Sequence, residues 1–311
     1  MKKIFIIVMI LASCFLTACD GDIPEYIDVG EVSDKTEITA STRTEDLSFG
    51  ITEDKLKFRG MYDFNNDSNS EEIILEIVNF GQGNECLNIQ VGDYKRVVST
   101  FDGSIAKVYG CDIDLNDGVK DLAIITVEYS GDPMIRILKF DSSLTPYNFA
   151  IENENPNGKK FASEHSIGYV TYFYFNVNND DSITIKEQTD SYGMWSVNKS
   201  YRINSNGMFQ EIFSDTYKVI SDYIKDGIDF AEDVSKEEKE MWKKGYIMAH
   251  KTHTWEGFTI SEGEYFKVLY DNCKNMIFIE KENGESGWIS ISDEHFADRY
   301  EINRYFFGLA G

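Results

Sequence analysis

Short runs of alternating apolar and polar residues, rich in Val, Ile, Tyr and Phe, recur from Leu47 onward and set the fold class. Glu72-Ile73-Ile74-Leu75-Glu76-Ile77-Val78, Asp121-Leu122-Ala123-Ile124-Ile125-Thr126-Val127 and Ile135-Arg136-Ile137-Leu138-Lys139-Phe140 are three of them. Alternation with a period of two places every second side chain on one face of a strand. Asn157-Gly158, Asn206-Gly207 and Asn283-Gly284 punctuate the runs. Such pairs suit the tight hairpin turn whose two central residues need positive φ. Many short strands with turns between them predict a mainly β chain. The charged stretch Asp233-Val234-Ser235-Lys236-Glu237-Glu238-Lys239-Glu240-Met241-Trp242 departs from this pattern. It holds helix formers behind an Asp or Ser cap, so a short helical linker is expected over residues 236–245.

Two segments match one another. The first is Asp63-Phe64-Asn65-Asn66-Asp67-Ser68-Asn69-Ser70-Glu71-Glu72-Ile73; the second is Asp112-Ile113-Asp114-Leu115-Asn116-Asp117-Gly118-Val119-Lys120-Asp121-Leu122. Both set oxygen-bearing side chains at positions 1, 3 and 5 and an acid at position 10, with a strand following, and they start 49 residues apart. A strand-rich period of about 40–50 residues marks propeller blades. Alternate residues of a tight loop converge on one point, and Asp and Asn oxygens there suit a hard cation such as Ca²⁺, which takes about six to eight oxygens. The other use of such residues is an Asx turn closed on its own backbone.

These segments resemble FG-GAP or VCBS-type repeats, the calcium-loop blades of integrin-α-like β-propellers and of many bacterial surface proteins. The resemblance implies metal ligands at Asp63, Asn65, Asp67 and Glu71 or Glu72 (Glu72 at position 10), and at Asp112, Asp114, Asn116 and Asp121. The usual loop of the family has Gly after its third ligand and its last acid at position 9. Here Glu71-Glu72 straddles that place, and Asp121 comes one residue late. Asn176-Val177-Asn178-Asn179-Asp180-Asp181-Ser182-Ile183 is a degenerate third copy, without an acid at position 10, and no metal is expected there. The resemblance spans roughly residues 47–232 and sets a repeat domain at 47–235, with fewer blades than a typical closed ring.

Toward the carboxyl end, Gly257-Phe258-Thr259-Ile260-Ser261-Glu262-Gly263-Glu264-Tyr265-Phe266-Lys267-Val268-Leu269-Tyr270, then Asn275-Met276-Ile277-Phe278-Ile279, then Ser286-Gly287-Trp288-Ile289-Ser290 resemble a bacterial Src-homology-3-like barrel. That resemblance implies a small domain at 246–311. Trp288 there either packs in the core or lines a shallow groove, and it is the candidate ligand contact. Aromatic grooves take extended peptides, and bacterial members of this family commonly bind cell-wall peptides.

At the amino end, Lys2 and Lys3 precede an apolar run from Ile4 to Ala12, and Leu16-Thr17-Ala18-Cys19 follows. A positive start, a short apolar segment and small residues before the cut make a secretory signal peptide. Leu-x-Ala-Cys resembles the bacterial lipobox, which implies cleavage after residue 18 and a lipid on Cys19. Residues 1–18 are therefore expected to be the signal peptide. Residues 19–46, acidic and without apolar periodicity, are expected to be a tether.

The balance of 54 acids against 30 bases gives a net charge of −24. That argues against nucleic acid and against adhesion to anionic surfaces, and it is compatible with cations. Cys86, Cys111 and Cys273 remain after processing, too few for a disulfide framework, although a Cys86–Cys111 bridge is one option. His250 and His253 lack the Glu of a metalloprotease motif, and no nucleophile elbow, phosphate loop or dinucleotide fingerprint occurs.

The expectation is thus a mainly β chain of propeller-like blade repeats followed by a small SH3-like barrel. It is lipid-anchored to the bacterial cell membrane on its outer side. It binds non-catalytically to cell-wall material such as peptidoglycan, to glycan or to a surface protein, with calcium in its loops. The alternative is a recognition or scaffold lipoprotein of an envelope enzyme or transport system, or a hydrolase.

Overall fold

The computed structural model describes residues 43–79, 85–99, 103–128, 133–151, 160–162, 164–167, 173–189, 195–220, 235–249, 251–255, 257–273 and 275–291. Cys19 and the signal and tether segments before residue 43 lie outside them. Residues 40–311 form one compact unit, and the fold is mainly β.

In chain order the strands begin with β1 (Thr44–Asp46), β2 (Lys57–Tyr62), β3 (Glu71–Val78), β4 (Cys86–Val91) and β5 (Tyr94–Ser99). Next come β6 (Ser104–Cys111), β7 (Asp121–Val127), β8 (Pro133–Leu138), β9 (Asn148–Ile151), β10 (Lys160–Ala162) and β11 (His165–Ser166). They are followed by β12 (Phe175–Val177), β13 (Ser182–Gln188), β14 (Ser196–Ile203), β15 (Met208–Glu211) and β16 (Tyr217–Ile220). After helix α1 (Lys236–Lys243) come β17 (Ile247–Met248), β18 (His253–Trp255), β19 (Phe258–Ile260), β20 (Tyr265–Asp271), β21 (Met276–Lys281) and β22 (Ser286–Ser290).

Three antiparallel groups carry the first two-thirds of the described residues. The first sheet is β2-β3-β4-β5, the second β1-β6-β7-β8-β11, and the third is built on β12-β13-β14-β15. The second sheet lies between the other two. On β7, Leu122 and Ile124 pack with Phe58, Ile73, Leu75 and Leu87 of the first sheet. Ala123 and Ile125, on its other face, pack with Phe149, Phe175, Ile183 and Phe209. Burial on both faces explains why β7 reads as an almost continuous apolar run. Each Leu, Ile or Phe among them contributes about 1.5–3 kcal/mol when fully buried.

The outer face of the first sheet ends the stack. Lys57 pairs with Glu76 and Arg59 with Glu72 across it, at 2.7 and 2.6 Å. Charged cross-strand pairs suit a solvent face, on which Met61 and Val97 also stand exposed.

The third sheet continues into the carboxyl-terminal part. β16 pairs with β14 at Ser196 and Val197 and with β20 at Tyr217 and Lys218. A third core joins Trp195 to Ile247, Trp255, Phe266, Ile277, Ile279 and Ile289. The Trp195 indole N–H donates to Asp271 at 2.7 Å, so the polar edge of this large ring is satisfied inside the core. In α1, the hydroxyl of Ser235 caps the first turn by accepting from the Glu238 N–H, and Met241 and Trp242 turn inward. Cys86 and Cys111 are free thiols on different sheets.

Because Trp195 belongs to the repeat part by sequence and to the third core by packing, the two parts should unfold together. Trp195→Ala is expected to cost about 3–5 kcal/mol and to lower a single transition seen alike by far-ultraviolet circular dichroism and by tryptophan fluorescence in urea. Two separated transitions, with only the second one shifted, would contradict this.

Candidate functional site

The two matched segments and their degenerate copy occupy equivalent places. Residues 63–70 connect β2 to β3, residues 112–120 connect β6 to β7, and residues 178–181 connect β12 to β13. The three loops stand beside one another. The Asn66 side-chain amide donates to the Gly118 carbonyl at 3.1 Å, and the Lys120 N–H donates to the Phe64 carbonyl at 2.6 Å, joining the first loop to the second.

Arg43 joins the second loop to the third. Its Nε donates to the Asp112 carbonyl (2.9 Å) and its Nη2 to the Ile113 carbonyl (2.9 Å). Its Nη1 reaches both the Asn178 carbonyl and Asp181 Oδ1 at 2.8 Å. Arg43 is buried, whereas Asp181 is exposed. The neighbouring Thr44 hydroxyl accepts from the Val177 N–H at 2.9 Å. Residues 44–46 of the stretch read as tether form strand β1, paired with β6, and Arg43 bridges two of the loops.

The first loop closes on itself. Asp63 accepts from the Asp67 and Ser68 N–H groups, Asn65 from the Asp67 N–H, and Asp67 from the Asn69 N–H. Asn66 and Ser68 take positive φ of 56° and 70°, the second being the place where the related loops carry Gly. Of the two acids that end this loop, Glu71 turns inward and accepts from the Phe64 N–H at 2.9 Å. Glu72 points the other way, to Arg59. Adjacent strand residues face opposite sides, so only one of the pair can serve the loop.

In the second loop the matching bond runs from the Ile113 N–H to Asp121 Oδ2 at 3.3 Å. Asp121 is thus the counterpart of Glu71, and the extra residue between Asp114 and Gly118 accounts for its late position. Asp114 accepts from the Asn116 main-chain and side-chain N–H groups, and Asp117 from the Val119 N–H. Gly118 completes the turn at φ 73°.

This loop differs from the first in leaving oxygens unpaired. Asp112 Oδ1 and Asp121 Oδ1 are buried without a hydrogen-bond partner. Asp121 is 1% exposed. Burial pushes its carboxyl up to about 7; the bond from Ile113 opposes this and the nearby Asp117 charge adds to it. Burial also raises Asp112, with Arg43 opposing. Among the described residues no group of three or more His, Cys, Asp or Glu side chains is placed to hold a metal ion. A cation here would need Asn and main-chain oxygens as well.

Trp288 lies away from this edge. Cross-strand register places it opposite Phe278, which lies opposite Tyr270, on the face of β20-β21-β22 turned away from Ile277, Ile279 and Ile289. Ring centroids are 5.4 Å apart for Phe278–Trp288 and 6.1 Å for Tyr270–Phe278. All three rings are half-buried. Trp288 is therefore one end of an aromatic row, outside the core.

A second cluster went unread in the sequence. His165 Nε2 lies 3.0 Å from Glu187 Oε1 and 3.1 Å from the Tyr201 hydroxyl, which itself donates to Glu187. Lys199 Nζ sits 3.5 Å from Glu187 and 3.7 Å from Glu211, and Tyr217 donates to Glu211 at 2.6 Å. Burial holds the Tyr201 hydroxyl far above its ordinary range. The cluster seals the second sheet to the third, each charge finding its opposite inside. Its sequence trace is only a Lys and a Tyr on the inward positions of β14.

Comparisons with protein-family models, with curated proteins and with solved structures find no match.

A carboxyl whose folded pKa is raised favours folding when protonated. Its contribution is full below about pH 4 and is lost as pH rises toward the folded value near 7. In chelator, wild-type stability in urea is therefore expected to fall by a few kcal/mol between pH 4 and pH 8, and Asp121→Asn to flatten that fall. Parallel pH profiles for the two proteins would contradict the burial argument.

Proposed function

We propose that this chain is a lipid-anchored, extracytoplasmic, non-catalytic binding protein, held to the membrane through Cys19. In it, blade-like sheets form a rigid support and the carboxyl-terminal aromatic row meets cell-wall material. The observation that carries the reading is that row: Tyr270, Phe278 and Trp288 stand in register on one sheet face, outside the core. Aromatic rings at a surface supply contact area at low entropic cost and are the side chains on which binding energy concentrates.

Three features support the blade-like description. Each of the first three sheets includes a four-stranded antiparallel group, each such group begins with a strand, an Asx loop and a second strand, and neighbouring sheets pack face to face. The second loop fits calcium better than the first. Asp112 Oδ1 and Asp121 Oδ1 are buried without donors, and Asp112, Asp114, Asn116 and Asp121 carry the hard oxygens such an ion takes. A bound ion would give the two unpaired oxygens a partner; Asp114 and Asn116 are already held in place by the turn.

The reading is tested by co-sedimentation of the whole chain from residue 20 onward with insoluble cell-wall sacculi. The wild type is expected to sediment, and Trp288→Ala to weaken binding by about thirtyfold, the loss that goes with a contact worth about 2 kcal/mol. A wild type that stays in the supernatant, or a Trp288→Ala protein that binds as well, would overturn it.

A further inference from the structure

The aromatic row extends past its three rings. β16 pairs with β20 so that Lys218, exposed, stands opposite Tyr270, and the row runs Lys218, Tyr270, Phe278, Trp288 across four strands. On one side of it Lys267, Glu280 and Ser286 form a polar row; on the other stand Met276 and Ser290. The chain leaves the described residues on that second side. Ile291, buried in the third core, donates its N–H to the Asn275 carbonyl at 2.7 Å, beside Met276 and three residues after Trp288. Residues 292–311 follow and lie outside the described residues. Five of these twenty are aromatic (Phe296, Tyr300, Tyr305, Phe306 and Phe307), against 14% of the whole chain. Such a segment gains from leaving water, as do the half-buried rings beside its starting point. Its first half carries Asp293, Glu294, Asp298 and Glu301 against Arg299, a charge opposite in sign to Lys218 at the far end of the row.

We propose that residues 292–311 are the row's own occupant: the segment turns back past Met276 and lays its aromatic side chains on Trp288, Phe278 and Tyr270. Its length suffices. The row spans two ring spacings, of 5.4 and 6.1 Å, and even a helical segment at about 1.5 Å per residue crosses that within about eight residues. The shape of the row favours inserted side chains. Neighbouring ring planes are tilted by 59° and 57°, so the row offers slots between rings and not a flat platform. A segment tethered this close acts at an effective concentration of about a millimolar, so a weak contact is enough to fill the site. Docking requires nothing of the cell-wall reading given above; the regulation that follows from it rests on that reading. The segment and wall material compete for the same rings, and the row is fully open to the wall only when the segment is displaced.

Acrylamide quenching of tryptophan fluorescence reads the row directly, because Trp195, Trp242 and Trp255 are buried and Trp288 is half-buried. The wild type from residue 20 onward is compared with two variants. One ends after Ser292, which keeps Ile291 in the core; the other is full length with Tyr305→Ser, Phe306→Ser and Phe307→Ser, and either serves if the other does not fold. Both are expected to be quenched more strongly than the wild type, and a synthetic peptide of residues 292–311 to restore protection to the shortened chain. In co-sedimentation with sacculi the shortened chain is expected to bind about tenfold more tightly. That is the gain from freeing rings that a segment tethered at about 1 mM occupies with a dissociation constant of about 0.1 mM. Equal quenching of all three proteins, with no effect of the peptide, would overturn the proposal. Altered quenching with equal sedimentation of wild type and variants would overturn the competition and leave the docking. Altered quenching with no protein sedimenting would overturn the cell-wall reading alone.

Discussion

The second sheet is buried on both faces, and the rest of the structure depends on that. Leu122 and Ile124 on one side of β7 and Ala123 and Ile125 on the other hold two cores together through a single strand. Stacking sheets this way fixes their edges relative to one another. The loops β2–β3, β6–β7 and β12–β13, each joining two antiparallel neighbours, then stand side by side on one edge. The acidic edge is thus a consequence of how the sheets stack.

Gathering acids along one edge in a chain of net charge −24 is unfavourable unless each carboxylate finds a donor or a cation. The loops meet this in different ways. Backbone N–H groups satisfy Asp63, Asp67 and Glu71. Arg43 and Arg202 satisfy Asp181 and Asp180. The second loop keeps Asp112 Oδ1 and Asp121 Oδ1 without donors, and Asp121 responds as a desolvated carboxyl must, by holding its proton more tightly. A divalent cation would resolve that conflict, which is why the calcium reading falls on this loop rather than on the first.

Features set by near neighbours were legible in the sequence. Alternation marked β3 and β7 and the Asx loops were found from spacing alone, while Asn206-Gly207 and Asn283-Gly284 do lie in turns but with positive φ (73° and 86°) at the glycine only, not at both residues as expected. The choice between Glu71 and Glu72 was open because either satisfies the spacing; the strand's alternation decides it by sending Glu72 to Arg59. Arg43 was unreadable, since its partners lie between 69 and 138 residues away and its surroundings have the composition of a tether. Trp195 sits in the third core for a similar reason, through Asp271 far along the chain. The aromatic row depends on register, and a bulge between Val268 and Tyr270 resets which residues of β20 face outward.

The central claim is that the stacked sheets hold an edge of acidic loops with one loop poised for a cation. Thermal melting of the whole chain from residue 20 onward, in chelator and in millimolar calcium, tests it most directly, with the Asp112→Ala, Asp114→Ala double variant beside the wild type. The account predicts that calcium raises the melting temperature of the wild type and leaves the double variant unmoved. Identical melts for the wild type in chelator and in calcium would contradict it and leave the second loop a turn closed by its own backbone.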